Sequence, residues 1–399
     1  MKRTYSAVLS DHLEQHRQMI FMVGPRQVGK TTLCTGLTEE YGYFNWDNQD
    51  HRRLIIDGPG SIGDEIGLNQ LREEPQLVIF DEIHKYSKWK EFLKGFFDVY
   101  GARSKIIVTG SSRLDIFKRG GDSLMGRYFL YHLHPLSVRE IIGKRFTVDE
   151  IQPPLPIALQ AFDSLYKFGG FPEPYMKANS RFSNRWKRLR QHQLFNEDIR
   201  DFTRIQEIHQ IELLAELLKN QTGQLVNYTN LANKVRVSVD TVRRWINALK
   251  SLYFCFTIQP WTGNVPRSLL KQPKVYIWDW SLIDDMGGKT ENFVASHLLK
   301  AINWWTDNGF GEYGLYFLRD KDKREVDFLV TRNKKPWFLV EVKTEKKKSV
   351  SKSLSYFQKQ IGATHAFQAV LSMDYVGVGC FSTNTPTIVP LKTLLSQLV

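Results

Sequence analysis

With 399 residues, 42% of them apolar and 13% aromatic, the chain exceeds one ordinary domain and can fill roughly two to four cores. A formal net charge of +13 favours an acidic polymer such as nucleic acid over a purely small-molecule partner. The three cysteines, Cys34, Cys255 and Cys380, form no C-x-x-C pair, which argues against a disulfide framework or a zinc site, and no run of about eighteen apolar residues exists to span a bilayer. With a charged amino terminus lacking an apolar signal core, the expected setting is the cytoplasm, without membrane attachment.

From residue 1 to about 145, short β-rich runs alternate with helical stretches, which predicts a parallel sheet flanked by helices. The predicted strands are IFMV (20–23), GYFNWD (42–47), LVIFD (77–81), KIIVTG (105–110) and RYFLYHL (127–133). Between the first strand and a predicted helix TTLCTGLTEEY lies GPRQVGKT, Gly24 to Thr31, which fits G-x-x-x-x-G-K-[ST]. In that motif backbone N–H groups wrap the phosphates, Lys30 reaches the β and γ phosphates, and the Thr31 hydroxyl ligates Mg²⁺. Gly24, Pro25, Arg26, Gln27, Val28, Gly29, Lys30, Thr31 and Thr32 are therefore the expected ATP-binding residues. About fifty residues later, Leu77 to Phe80 lead into Asp81 and Glu82, the pattern in which one carboxylate holds Mg²⁺ and the next polarises the attacking water. The following strand ends in Ser111-Ser112-Arg113, where Thr109 or Ser111 either senses the γ phosphate or belongs to an ordinary polar turn.

Proline-rich 146–158 marks a predicted boundary, with mostly helical stretches to about 205. In 206–284, IHQIELLAELLKN has the apolar spacing of an amphipathic helix. TNLANKV and SVDTVRRWINALKSL predict a helix, a tight turn and a second helix. Ser238 is the predicted N-cap of that second helix, and Thr241, Arg243, Arg244 and Asn247 fall on its polar face. FCFTIQPW and KVYIWDW follow as strands, so the block resembles a winged helix-turn-helix, serving either DNA contact or packing. From 285 to 399 a further α/β unit is predicted, with the helix ENFVASHLLKAINWW and strands LYFLR, EVDFLVT and WFLVEVK. The run KTEKKKS is either a solvated turn or a phosphate contact.

GPRQVGKTT, LVIFDEIHK, IIVTGSSR, DSLMGRYF with HPLSVREI, and GGFPEPY resemble the recurring blocks of a prokaryotic AAA+ family of ATP-binding proteins, of the DUF4143 type, with a nuclease-like carboxyl half. The fold implied is α/β: a P-loop AAA+ parallel-sheet domain (1–145), a helical lid or linker (146–205), a winged helix-turn-helix (206–284) and a restriction-endonuclease-like α/β domain (285–399). The resemblance places Arg127 where such ATPases carry an arginine that reaches a neighbouring subunit's γ phosphate; a surface ion pair or a contact within the same chain are its alternatives, and Arg113 competes for the role. Asp327 and Glu341-Val342-Lys343 resemble a PD-(D/E)-x-K nuclease site, with Glu291 as an added carboxylate. That implies Mg²⁺ or Mn²⁺ on Glu291, Asp327 and Glu341, with Lys343 positioning or deprotonating the attacking water.

The expected activity is ATP hydrolysis by a DNA-directed homo-oligomer, a hexameric ring being one form, acting on duplex or branched DNA in remodelling, recombination, repair or defence. The rival is an ATP-dependent oligomerisation switch or DNA-binding regulator with a silent carboxyl-terminal domain. An ATPase acting on protein partners, its charge incidental, is a third.

Overall fold

The computed structural model describes residues 3–110, 124–143, 149–202, 207–262 and 272–399. They divide into two compact units, Met1–His134 and Pro135–Val399.

The first unit opens with α1 (Tyr5–Gln15), followed by β1 (Met19–Val23), α2 (Lys30–Thr35), β2 (Tyr41–Asn45), α3 (Gln49–Asp57), α4 (Pro59–Glu65), β3 (Gln76–Asp81), α5 (Trp89–Tyr100), β4 (Ser104–Gly110) and β5 (Tyr128–His132). The five strands form one parallel sheet in the order β2-β3-β4-β1-β5. Every residue of β1 is buried, as expected for a continuous apolar run covered on both faces. In α5 the spacing of Trp89, Phe92, Leu93, Phe96, Phe97 and Tyr100 makes one buried stripe, and Phe92 and Phe96 meet the ring of Phe80 edge-on. Burial of side chains this size contributes about 1.5–3 kcal/mol each, so the aromatic stripe fixes α5 against β3. A parallel sheet gathers all strand ends of one kind on one edge, which brings Val23, Asp81 and Gly110 together at the carboxyl edge.

Two expectations shift here. The helix after the P-loop stops at Thr35, where Gly36 follows as its C-cap. The first unit closes at His134, eleven residues before the expected boundary at 145. Residues 135–142 instead join the second unit, where Glu140 on α6 (Val138–Ile142) is buried against Lys300 at 2.5 Å and the backbone N–H of Val138 donates to His297 Nε2 at 3.0 Å. Burial holds His297 well down, to about 3, so its ring is neutral and can accept that bond.

In the second unit a helical layer runs α7 (Leu159–Phe168), α8 (Pro172–Lys177), α9 (Ser180–Gln193), α10 (Ile199–Phe202), α11 (Ile208–Asn220), α12 (Tyr228–Val235) and α13 (Val239–Ser251). There follow β6 (Cys255–Pro260), β7 (Lys274–Ile277), α14 (Met286–Asp307), β8 (Tyr313–Arg319), β9 (Glu325–Arg332), β10 (Lys335–Lys343), α15 (Lys352–Ile361), β11 (His365–Val370), β12 (Thr387–Pro390) and α16 (Leu391–Ser396). The seven strands form a mixed sheet in the order β12-β11-β10-β9-β8-β6-β7. β6 and β7 were expected to form a separate wing. They do pair antiparallel with each other, but Gln259 and Pro260 also pair with Tyr316 and Phe317 of β8, so both strands extend the carboxyl-terminal sheet. Asn292 on α14 seals that edge, its amide exchanging two 2.7 Å hydrogen bonds with the backbone of Ile277.

Candidate functional site

The P-loop bridges β1 and α2 at the carboxyl edge of the first sheet. Gly24 takes φ +150°, and a Cβ there would lie 2.2 Å from the carbonyl oxygen of Leu133, so only glycine lets the loop lie against the end of β5. Gln27 and Gly29 also have positive φ, at 61° and 93°, turning the backbone around the future phosphate position. Pro25 and Val28 are buried, Arg26 half-buried, and Gln27 and Thr32 exposed. Lys30 is buried at the start of α2, and its ammonium donates to the carbonyls of Gly24 (2.9 Å) and Pro25 (2.8 Å). Burial pulls its pKa down to about 8, against the opposing charges of Glu82 and Asp81.

Asp81 is the centre of the site. Its Oδ2 accepts from the Thr31 hydroxyl (3.0 Å) and from Tyr43 (2.8 Å), and its Oδ1 accepts from Thr109 at 2.5 Å. Tyr43 and Thr109 come from β2 and β4, the strands flanking β3, so sheet order explains their convergence, and Thr31 reaches Asp81 from the first turn of α2. Hard oxygens from Thr31 and Asp81, next to a buried ammonium, suit an Mg²⁺–triphosphate, with the hydroxyl and carboxylate holding the metal and its waters. Tyr43 was not anticipated. Its signal was only its place two residues before the end of the strand that pairs Asn45 with Asp81.

Glu82 follows in a left-handed conformation, φ 55°, with its N–H bonded to the carbonyl of Thr109 (3.0 Å). Its carboxylate lies 3.6 Å from His84 Nε2 and 3.5 Å from Lys85 Nζ, and Lys85 also pairs with Asp47 at 2.6 Å. Thr109 does belong to the site, through Asp81. Ser111 and Arg113 lie outside the described residues. Arg127 sits at the opposite edge of the sheet, where its carbonyl bonds Met19 N and its guanidinium is paired with Asp98 at 3.0 and 3.3 Å. The five-residue strand between the edges separates it from the P-loop by roughly 15 Å, so it reaches no phosphate bound in its own chain.

In the second unit the nuclease-like residues lie on neighbouring elements, Glu291 on α14, Asp327 on β9, and Glu341 and Lys343 on β10. Lys343 pairs with Glu341 at 2.8 Å, and Asp327 Oδ2 accepts from the N–H of Val342 at 2.8 Å. The unexpected member is Lys274 of β7, 2% exposed, whose ammonium lies 2.6 Å from Glu325, 3.2 Å from Glu291 and 3.8 Å from Asp327. Burial works against the charged lysine, but Glu291, Asp327 and Glu325 outweigh it and hold its pKa above the ordinary value. Burial and the Glu291 charge push Asp327 up to about 7, opposed by Lys274 and the Val342 N–H. The expected metal set of Glu291, Asp327 and Glu341 does not fit a divalent ion in this arrangement. Among the described residues no three acidic, His or Cys side chains are grouped to hold one, and ammonium groups already pair with the set, Lys274 with Glu291 and Asp327 and Lys343 with Glu341.

Among the described residues, two helices carry exposed basic faces, in addition to the exposed Lys346, Lys347 and Lys348 of the KTEKKKS run. The Ser238 hydroxyl caps α13 by accepting from Thr241 N at 3.1 Å, and Val242, Trp245, Ile246 and Leu249 bury one face. Arg243, Arg244 and Asn247 are left outside, Arg243 over the Tyr228 ring at 4.6 Å. The second surface was not anticipated. α9, SRFSNRWKRLRQHQ, has no acidic residue, and Arg181, Arg185, Arg188 and His192 are all exposed at helical spacing along one face.

Residues 16–142 match the model of the AAA domain family, 159–292 a domain of unknown function (DUF8612), and 286–393 a domain of unknown function (DUF4143). An uncharacterized protein of Mycobacterium tuberculosis is 23% identical over 353 residues, covering 84% of this chain and 72% of its own. One from Methanocaldococcus jannaschii is 23% identical over 326 residues, covering 77% and 70%. Among solved structures, the Walker-type ATPase of Pyrococcus abyssi aligns with TM-score 0.43 at 15% identity, covering 69% of this chain and 93% of that one. AMPPCP-bound DnaA from Aquifex aeolicus aligns with TM-score 0.30 at 14% identity, covering 61% and 86%.

Proposed function

We propose that this chain, which joins an AAA-type P-loop domain to a DUF4143 carboxyl-terminal region, hydrolyses ATP with Mg²⁺ and directs that cycle at DNA as a homo-oligomer. The observation that carries the reading is the convergence of Thr31, Tyr43 and Thr109 on Asp81 beside the buried Lys30. Lys30 neutralises the transferring phosphoryl group, Thr31 and Asp81 hold the metal and its waters, and Glu82 orients the attacking water. Glu82 is held by Lys85 and His84 in this conformation, so turnover requires it to swing toward the γ phosphate. Arg127, remote from its own P-loop, supplies its charge to a neighbouring subunit's site.

The DNA assignment is supported by net charge and by the two basic surfaces. On α9, Arg181, Arg185 and Arg188 stand about 6 and 4.5 Å apart along the axis at a rise of about 1.5 Å per residue, a row of cations that suits an anionic phosphodiester backbone. DNA remodelling within repair, recombination or defence is the corresponding role. The ion pairs of Lys274 favour the reading in which the carboxyl-terminal domain binds without cutting.

The test is steady-state ATP turnover and salt-dependent DNA binding by the parent, by Lys30→Ala, and by Arg181→Gln/Arg185→Gln/Arg188→Gln. Turnover should vanish in the first variant. In the second, log K against log salt should lose about 0.9 of slope for each phosphate contact removed. Full turnover by Lys30→Ala, or DNA binding that ignores salt, would overturn the corresponding half of the proposal.

A further inference from the structure

We infer that the ammonium of Lys274 is the built-in cation of the carboxyl-terminal acidic pocket, taking the place of a divalent metal and latching four chain segments together. The inference stands apart from ATP hydrolysis and rests on the second unit alone.

An ammonium offers three N–H donors, and Lys274 finds three carboxylates, two at hydrogen-bonding distance from Glu325 and Glu291 and one ion-paired at 3.8 Å with Asp327. Magnesium would draw its oxygens to about 2.0–2.1 Å and demand octahedral order; these separations are those of a charge-assisted hydrogen-bond cluster. Other groups of the protein bind the same carboxylates. Tyr276 donates to Glu291 Oε1 at 2.7 Å, Arg319 pairs with Glu325 Oε2 at 2.7 Å, and Asp327 Oδ2 takes the Val342 N–H.

The pocket is also roofed. The turn after α11 lies along β7, with Gly223 N bonded to Val275 O at 2.9 Å and Val226 N to Pro273 O at 2.8 Å. There Gly223, at φ +77°, approaches so closely that an added Cβ would stand 2.9 Å from Glu291 Oε2. A phosphodiester would have to displace this backbone to reach Glu291. The cluster therefore joins β7, α14, β9 and the α11–α12 turn, and the charges of Glu291, Glu325 and Asp327 hold these segments together through Lys274.

The experiment uses the nucleotide-free full chain in an Asp81→Asn background, to silence the other metal-competent carboxylate. Mn²⁺ binding is followed by loss of the free-ion electron paramagnetic resonance signal, and melting temperature with and without Mn²⁺. Expected are no stoichiometric Mn²⁺ site in the Lys274-containing protein and none in Lys274→Arg. Lys274→Ala should melt lower and gain one site, with Mn²⁺ restoring part of its melting temperature, and further Asp327→Asn should abolish that site. A stoichiometric site with Lys274 present, lost on Asp327→Asn, would overturn the inference. So would a folded Lys274→Ala that melts like its parent and ignores Mn²⁺. Should Lys274→Ala not fold even with Mn²⁺, the Lys274-containing protein and its Asp327→Asn variant alone decide.

Discussion

Raising pH through 8 should uncouple ATP from this chain in a way that reports directly on Lys30. Burial lowers its pKa from 10.5 to about 8, so the ammonium is charged below that pH and neutral above it. A bound triphosphate stabilises the charged form, and at pH 8.5 about three-quarters of the molecules must take up a proton on binding, against almost none at pH 6.5. If only the charged form binds, apparent Kd scales with the inverse of its population, weakening about tenfold from pH 7 to pH 9. The stability consequence has the opposite sign. Because the unfolded chain holds this proton more tightly, the buried charge costs about 3 kcal/mol below pH 8, and the cost is relieved as pH climbs from 8 toward 10.5. Titration calorimetry in two buffers of different ionisation enthalpy measures the proton uptake, and Lys30→Arg, always charged, serves as the control. A Kd unchanged between pH 7 and 9, or no uptake at pH 8.5, would refute the assignment of a buried, titrating lysine at the phosphates.

Glu82→Gln keeps shape and removes the base, so ATP should remain bound while turnover falls by about 10²-fold or more; filter binding and phosphate release measure the two separately, and undiminished release would remove Glu82 from the role. Gly24→Ala places a methyl 2.2 Å from Leu133 O at φ +150°, so it should abolish nucleotide binding and lower the melting temperature, and retained affinity would contradict the packed loop. Mixing Arg127→Ala with Lys30→Ala chains should restore some turnover that neither shows alone. No recovery where mixed oligomers demonstrably form would deny Arg127 its role in trans.

The amino-terminal sheet is legible in the sequence because its strands are apolar runs ended by functional residues, MIFMV before Gly24 and LVIF before Asp81. Tyr43 was hidden because its role arises from pairing between β2 and β3, which the sequence of GYFNWD does not encode by itself. Lys274 was hidden for the same reason: at the start of KVYIWDW it reads as a polar strand end, and its acidic partners lie 17 to 53 residues downstream. The wing-like β6 and β7 gave no sign that two residue pairs would join them to β8. His134 closes the first unit without any break in composition, whereas prolines drew the expected boundary to 146–158.

Arg3 touches the P-loop from outside the motif. Its guanidinium donates to the carbonyl of Val28 and to that of His134, both at 2.6 Å. One is the loop that grips phosphate; the other is the last residue before the chain leaves the first unit. A single rigid planar group thus ties the P-loop to the residue that closes the first unit, from a position nearly thirty residues before the loop's own lysine. Lysine would keep the charge at this position and lose the fork, so it could hold one of these carbonyls but not both in the same geometry.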